Sequence, residues 1–299
     1  MQLRYISTPT DLGGAAVPGC GTIHKSEIKE TLFKLSDELE MPFDFNDYTL
    51  GSTGKREYSG DIDLVVDTGW WNHGIGEFRA NLEEMYGKEN VSRHGDMLHL
   101  KFPIVNYNPK YNEALPRTGF VQIDFNFGDV GWEKFYHYSA GEKSEYKGGH
   151  RNLLIAAICS SVNVEPGPNP YPEDADCMWV QDRPISTIRW KFGPHGLFRI
   201  NRVSQKDRNG VWMRKQKDID LEGPYKTAWD IRRILFPYSR CKEDLDSLET
   251  LMAAVKRNYG MVDQERVWRQ AAYNFYDWPQ GKLFEYPEEI AKYLPPSDK

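Results

Sequence analysis

Paired cysteines are missing from this chain. Its four cysteines, Cys20, Cys159, Cys177 and Cys241, lie far apart, and no C-x-x-C pair occurs. Neither a disulfide framework nor a cysteine-built zinc site is supported. None of the seven histidines forms an H-E-x-x-H pair, which argues against a zinc hydrolase. Long apolar runs are scarce as well: no stretch approaches the roughly 18 residues of a membrane span. The opening MQLRYISTPTDLGG has no apolar core of signal-peptide length. The expectation is a soluble, cytoplasmic protein with no membrane partner. Repeats and low-complexity tracts are also absent.

What is present fills two domains. A chain of 299 residues is long enough for two separate cores. Hydrophobic residues at 39% and charged residues at 27% are ordinary, whereas 13% aromatics is high and makes ring-filled cores or stacking surfaces available. A formal charge of −6 speaks against a uniformly basic nucleic-acid binder. The distribution differs: residues 183–217 hold ten Lys or Arg against the single acid Asp207. Such asymmetry points to an anionic partner at one region, or to a solvated hairpin with a biased face.

Periodicity supplies the elements. Ile28, Leu32, Leu35 and Leu39 recur at helical spacing over about 24–40, and Pro42 ends that helix. A short apolar run, Tyr48–Leu50, leads into a glycine turn. A strand-like run covers Asp61–Val66, and a helix follows over about 75–87, closing at Gly87. In 97–104, Leu98, Leu100, Phe102 and Ile104 alternate with His99 and Lys101. In 120–127, Val121, Ile123, Phe125 and Phe127 alternate with Gln122, Asp124 and Asn126. A sheet covered by helices on one face and open on the other produces this pattern. A buried helix over 149–162 precedes the Pro-rich stretch EPGPNPYPED, where a domain boundary is expected. Beyond it come a basic β segment and helices near 226–236, 242–259, 263–276 and 287–294. In 242–259, Leu245, Leu248, Leu251, Met252 and Val255 form a core stripe. The fold class is therefore α+β, with domains at 1–165 and 166–299.

The chemistry-bearing passage is Leu50-Gly51-Ser52-Thr53-Gly54-Lys55-Arg56, followed by Asp61-Ile62-Asp63-Leu64. Strand alternation points Asp61 and Asp63 from one face while Ile62 and Leu64 enter the core. Ionised carboxylates this close raise each other's pKa unless a cation compensates, and a hard divalent ion is the simplest resolution. Asp124 lies on the polar face of a strand whose other face is apolar throughout. If that strand lies beside the Asp61–Asp63 strand, the three acids form a cage suited to two Mg²⁺ ions. The Gly51-Ser52 turn offers backbone N–H groups and a hydroxyl to phosphate oxygens, with Lys55 and Arg56 nearby. His94 and His99 fall near Asp124 and read as structural histidines. Asp-x-Asp recurs at Asp174–Asp176, Asp218–Asp220 and Asp244–Asp246, but only the first copy has Gly-Ser upstream, an apolar strand downstream and a later strand with a lone acid.

These residues resemble the signature of the DNA polymerase β-like nucleotidyltransferase superfamily over roughly residues 25–160. The resemblance implies a mixed β-sheet core with helices on one face. It implies that Asp61 and Asp63 hold the nucleotide-bound Mg²⁺ and that Asp124 joins them on a second ion and serves the attacking hydroxyl. Gly51 and Ser52 would hold the β- and γ-phosphates. The implied reaction transfers a nucleoside monophosphate from a nucleoside triphosphate, such as ATP, to an acceptor, with pyrophosphate leaving.

The fold does not choose the acceptor. In 183–217 the cations interleave with Trp190, Phe192, Phe198 and Trp212, combining phosphate neutralisation with stacking surfaces. RNA is the favoured acceptor, with Arg189, Lys191, Arg199 and Arg202 as contacts. A protein, a small molecule, or a nucleotide built into an oligonucleotide is compatible with the same acids. So is a binding protein that keeps the fold without turnover.

Overall fold

The computed structural model describes residues 16–71, 73–108, 113–168, 186–203, 217–277 and 286–295, with backbone only at 107–108 and 113–118. The expectations for residues 1–15, Cys177, Asp174–Asp176, Asp207 and Trp212 lie outside the described residues. The chain forms two compact units, Met1–Gly148 and Gly149–Lys299. The division falls after the first residue of the helix at 148–161, ahead of the Pro-rich stretch.

The first unit runs β1 (Ile23–His24), α1 (Lys25–Glu38), β2 (Tyr58–Ser59), β3 (Asp61–Asp67), α2 (Ile75–Tyr86), β4 (Val91–His94), β5 (Met97–Asn108), β6 (Glu113–Gly128) and α3 (Val130–Tyr136). Helix α1 starts at a capping box. The His24 ring accepts from Ser26 N–H, and Glu27 reaches back to the His24 N–H at 3.1 Å. Its apolar stripe buries Ile28, Leu32 and Leu35. Helix α2 ends at Gly87, with φ +88°.

The four main strands lie in the order β3-β6-β5-β4, with β3 parallel to β6 and the other pairs antiparallel. Leu64, Phe125 and Leu98 face α1 and α2 on one side of this mixed sheet, in a core that also holds Ile62, Ile123, Leu100, Phe78 and Leu82. Burying each such side chain contributes about 1.5–3 kcal/mol. The opposite face is polar: Asp61, Asp63, Gln122, Asp124, His99 and Lys101 alternate with the core residues.

Residues Phe45–Tyr48 form a 3-10 turn capped by Asp44, whose carboxylate accepts from Asn46 N–H at 2.9 Å. Thr49 makes an isolated bridge to Leu64.

The second unit begins with α4 (Gly148–Ser161), followed by an antiparallel sheet of β7 (Glu165–Pro166), β8 (Ser186–Gly193), β9 (Gly196–Val203) and β10 (Lys217–Tyr225). Then come α5 (Ala228–Leu235), a 3-10 turn Lys242–Leu245, α6 (Leu248–Asn258), α7 (Met261–Asp277) and α8 (Glu288–Ala291). The expected helix over 242–259 is broken. Ser247 is extended at φ −143° and ψ 172°, and its hydroxyl accepts from Thr250 N–H as the N-cap of α6. The stripe Leu245, Leu248, Leu251, Met252 and Val255 is buried nonetheless. Helix α4 is tied into this unit: Asn274 donates to the Leu153 carbonyl at 3.1 Å, and Arg151 donates to that of Leu245. Among the described residues, no helix is long and apolar enough to cross a membrane.

Candidate active site

The polar face of the first sheet carries the site. In the parallel register of β3 and β6, Asp63 pairs with Asp124 and Asp61 with Gln122. In the antiparallel register of β5 and β6, His99 is opposite Asp124 and Lys101 opposite Gln122. Neighbouring strands lie about 4.8 Å apart, so Asp63, Asp124 and His99 form one row across three strands. Asp61 stands two residues before Asp63 on the same face.

The glycine turn is fastened to this row. Leu50 N–H donates to the Asp63 carbonyl at 2.8 Å, and Asp63 N–H donates to Thr53 Oγ1 at 3.0 Å. Gly51 sits at φ +62°, and a Cβ there would lie 2.7 Å from Asp63 Oδ2. Only glycine combines that backbone with that closeness. Ser52 is exposed beside it. Thr53, which the motif reading passed over, is buried and sets the turn against β3.

Electrostatics single out two acids. Burial first, then the charge of Asp124, raises the Asp61 pKa; Lys147, its own backbone N–H and His99 oppose the rise. Burial raises the Asp63 pKa well above the ordinary range, with the charges of Asp61 and Asp124 adding to it. Lys147 is a cation that sequence reasoning did not identify, since it lies outside every motif.

Asp124 is held differently. Its Oδ1 accepts from Gln122 Nε2 at 2.7 Å and from His99 Nδ1 at 2.8 Å. Gln122 Oε1 in turn accepts from the backbone N–H groups of Ala16 and Val17 at 3.0 and 3.1 Å. The segment 16–21 therefore crosses the polar face, where Gly21 N–H also bonds to the Phe120 carbonyl at 2.7 Å.

The donor set of Asp61, Asp63 and Asp124 is all oxygen, the chemistry that Mg²⁺ prefers. Their uncompensated proximity also fits a divalent cation. Among the described residues, no group of three or more His, Cys, Asp or Glu side chains is arranged to hold an ion as it stands. The three acids share a face and feel one another's charge without converging on a point.

Lys55 and Arg56 part company. Lys55 Nζ donates to the Ser139 carbonyl at 2.7 Å and lies 4.7 Å from the Tyr138 ring centroid. Its partial burial lowers its pKa. Gly141, at φ +62°, leaves room for the Lys55 stem. Arg56 is exposed.

In the second unit, acids answer most of the basic strand residues. Arg202 pairs with Asp218 through Nε at 2.6 Å and Nη2 at 2.9 Å, and Lys191 joins the same carboxylate at 3.0 Å. Burial works to raise the Asp218 pKa, but the bonds and charges of Arg202 and Lys191 outweigh it and hold the value low. Arg199 reaches Glu222 at 3.0 Å and Glu165 at 3.3 Å. Arg189 has a buried Nε without a hydrogen-bond partner among the described residues, and burial, then the Arg202 charge, lowers its pKa to about 10. The later Asp-x-Asp copies are structural where described: Asp218 serves this sheet, and buried Asp244 binds Arg257 and Ser239.

No protein-family model matches this chain, and a comparison with curated proteins brings no significant match.

Proposed function

We propose that this protein is a divalent-metal-dependent nucleotidyltransferase of the polymerase β-like type. The observation that carries the reading is the β3–β6 register, which sets Asp63 beside Asp124 with Asp61 on the same face, next to a glycine turn fastened to Asp63. Asp61, Asp63 and Asp124 would hold two Mg²⁺ ions once the Asp61 and Asp63 side chains rotate to close on them beside Asp124. Bound divalent cations neutralise the triphosphate and lower the pKa of an attacking hydroxyl.

The chain's own groups do the remaining work. The backbone around Gly51 and the Ser52 hydroxyl bind the β- and γ-phosphates, and exposed Arg56 adds charge beside them. Asp124 takes the proton of the acceptor hydroxyl as its oxygen attacks the α-phosphorus in line. That O–P bond forms as the bond to the β-phosphate oxygen breaks, and pyrophosphate leaves. Positioning and charge neutralisation supply the acceleration.

For the acceptor we retain RNA, on the cations of β8 and β9. Among the described residues, Arg189 is the member of that set with no hydrogen-bonded acid. The pairing of Lys191, Arg199 and Arg202 with Asp218, Glu165 and Glu222 favours a second reading, transfer to a protein or small molecule. Incubating the protein with each α-labelled nucleoside triphosphate, Mg²⁺ and a mixed lysate separates these. Label in RNA supports the first, and label in protein or metabolites alone supports the second. Label in none of them contradicts transferase activity.

A further inference from the structure

Asp124 offers its two oxygens to different tasks. An ionised carboxylate oxygen accepts about two hydrogen bonds, and Oδ1 has both of its own from inside the protein, from Gln122 Nε2 at 2.7 Å and His99 Nδ1 at 2.8 Å. The Gln122 amide cannot be turned round. Two backbone N–H groups, from Ala16 and Val17, already occupy Oε1 at 3.0 and 3.1 Å and require its NH₂ to face Asp124. A carboxylate oxygen accepts, which assigns the donor role in this bond to His99 Nδ1. His99 Nε2 is buried with no partner among the described residues, so the ring bonds through Nδ1, at 2.8 Å to Asp124 and with Gln122 Nε2 farther off at 3.5 Å. Oδ2 has no hydrogen bond among the described residues and is not sealed in the core.

We infer that His99 and Gln122 are positioning residues that immobilise Asp124 through Oδ1, so that Asp124 acts through Oδ2 alone, as a one-oxygen ligand and proton acceptor. This deepens the transferase reading and rests on it. Without the pair, the carboxylate rotates between its two oxygens and loses its set direction. Fixing a ligand from behind typically changes metal affinity or activity by about 10- to 100-fold.

Three substitutions isolate the donor. His99→Asn keeps an amide N–H where Nδ1–H stands, His99→Gln moves it to the Nε2 end, and His99→Leu removes it. The measurement is Mn²⁺ affinity by electron paramagnetic resonance, on the full chain with a non-cleavable α,β-methylene nucleoside triphosphate. We expect Mn²⁺ binding to weaken about 10-fold or more in His99→Leu and His99→Gln. We expect His99→Asn to recover to within about threefold of the parent. Parent-like affinity in His99→Leu or His99→Gln overturns the inference, as does His99→Asn binding no better than His99→Leu. If His99→Leu does not fold, the polar, similarly sized Asn and Gln variants decide between them. A parent protein that binds no Mn²⁺ with nucleotide overturns the transferase reading itself, a result distinct from equal binding by all variants.

Discussion

Asp63 stands opposite Asp124 in the parallel register of β3 and β6. Two acids are thereby fixed side by side on a face that the glycine turn and the 16–21 segment border. A protein selected for stability alone gains nothing from that arrangement, because like charges on facing strand positions repel.

The repulsion has a measurable sign. Burial, then the charges of Asp61 and Asp124, lifts the Asp63 pKa above its ordinary 3.8 in the folded chain. The folded state then binds the proton more tightly than the unfolded state. Stability is greatest at low pH and is lost as pH rises from 3.8 through the folded value. Asp63→Asn abolishes that loss. With chelator present at neutral pH, it should melt about 3 °C or more above the parent, and the gap should close near the ordinary carboxylate pKa. A lower melting point for the variant at neutral pH contradicts the electrostatic assignment.

Gly51→Ala tests the turn. The new Cβ would fall 2.7 Å from Asp63 Oδ2 on a backbone at φ +62°. The left-handed conformation alone costs about 1–2 kcal/mol. Nucleotide transfer should fall further than this stability change accounts for, by about tenfold or more, since the Asp63 carboxylate must move. Chemical denaturation and turnover measured on the same sample separate the two effects.

Lys55 and Arg56 are adjacent, and their substitutions should act differently. Removing the Lys55 ammonium deletes the bond to the Ser139 carbonyl and the contact with Tyr138. Lys55→Met should lose about 1 kcal/mol of stability while KM for nucleotide stays within about twofold. Arg56→Ala should leave stability alone and raise KM. The reverse pattern would make Lys55 the phosphate ligand.

Polyanion binding by the second unit should depend on Arg189. If RNA is bound there, Arg189→Ala should lower the salt dependence of binding by about one counterion. Arg199→Ala should change it less, because Glu165 and Glu222 already meet that guanidinium. An unchanged salt slope in Arg189→Ala would return the acceptor question to proteins and small molecules.

The strands of the site were legible because one face is apolar without interruption: Leu98, Leu100 and Phe102 in β5, and Val121, Ile123 and Phe125 in β6, all read at period two. Alternation assigns faces but not neighbours. That β6 lies between β3 and β5, and that Asp124 meets Asp63 on one side and His99 on the other, is a matter of register. His99 therefore reads as a structural residue from sequence, although its face was evident. Strand β4 has only four residues, too few for a periodic signal. Helix α3 was missed too, although Asp129 accepts from Trp132 N–H as its cap at 2.8 Å. The charge excess of 183–217 stops one residue before Asp218, the acid that pairs with Lys191 and Arg202. Composition over a window cannot anticipate an antiparallel partner just beyond it.

The most direct measurement supplies nucleoside triphosphate labelled at either the α or the γ phosphorus, with Mg²⁺ and the acceptor fraction, to the parent and to Asp61→Asn, Asp63→Asn and Asp124→Asn. In the parent, α label should enter the acceptor and γ label should leave as pyrophosphate, and each substitution should abolish transfer while the chain stays folded. Transfer of γ label, or undiminished α transfer by Asp63→Asn, would contradict the proposed function.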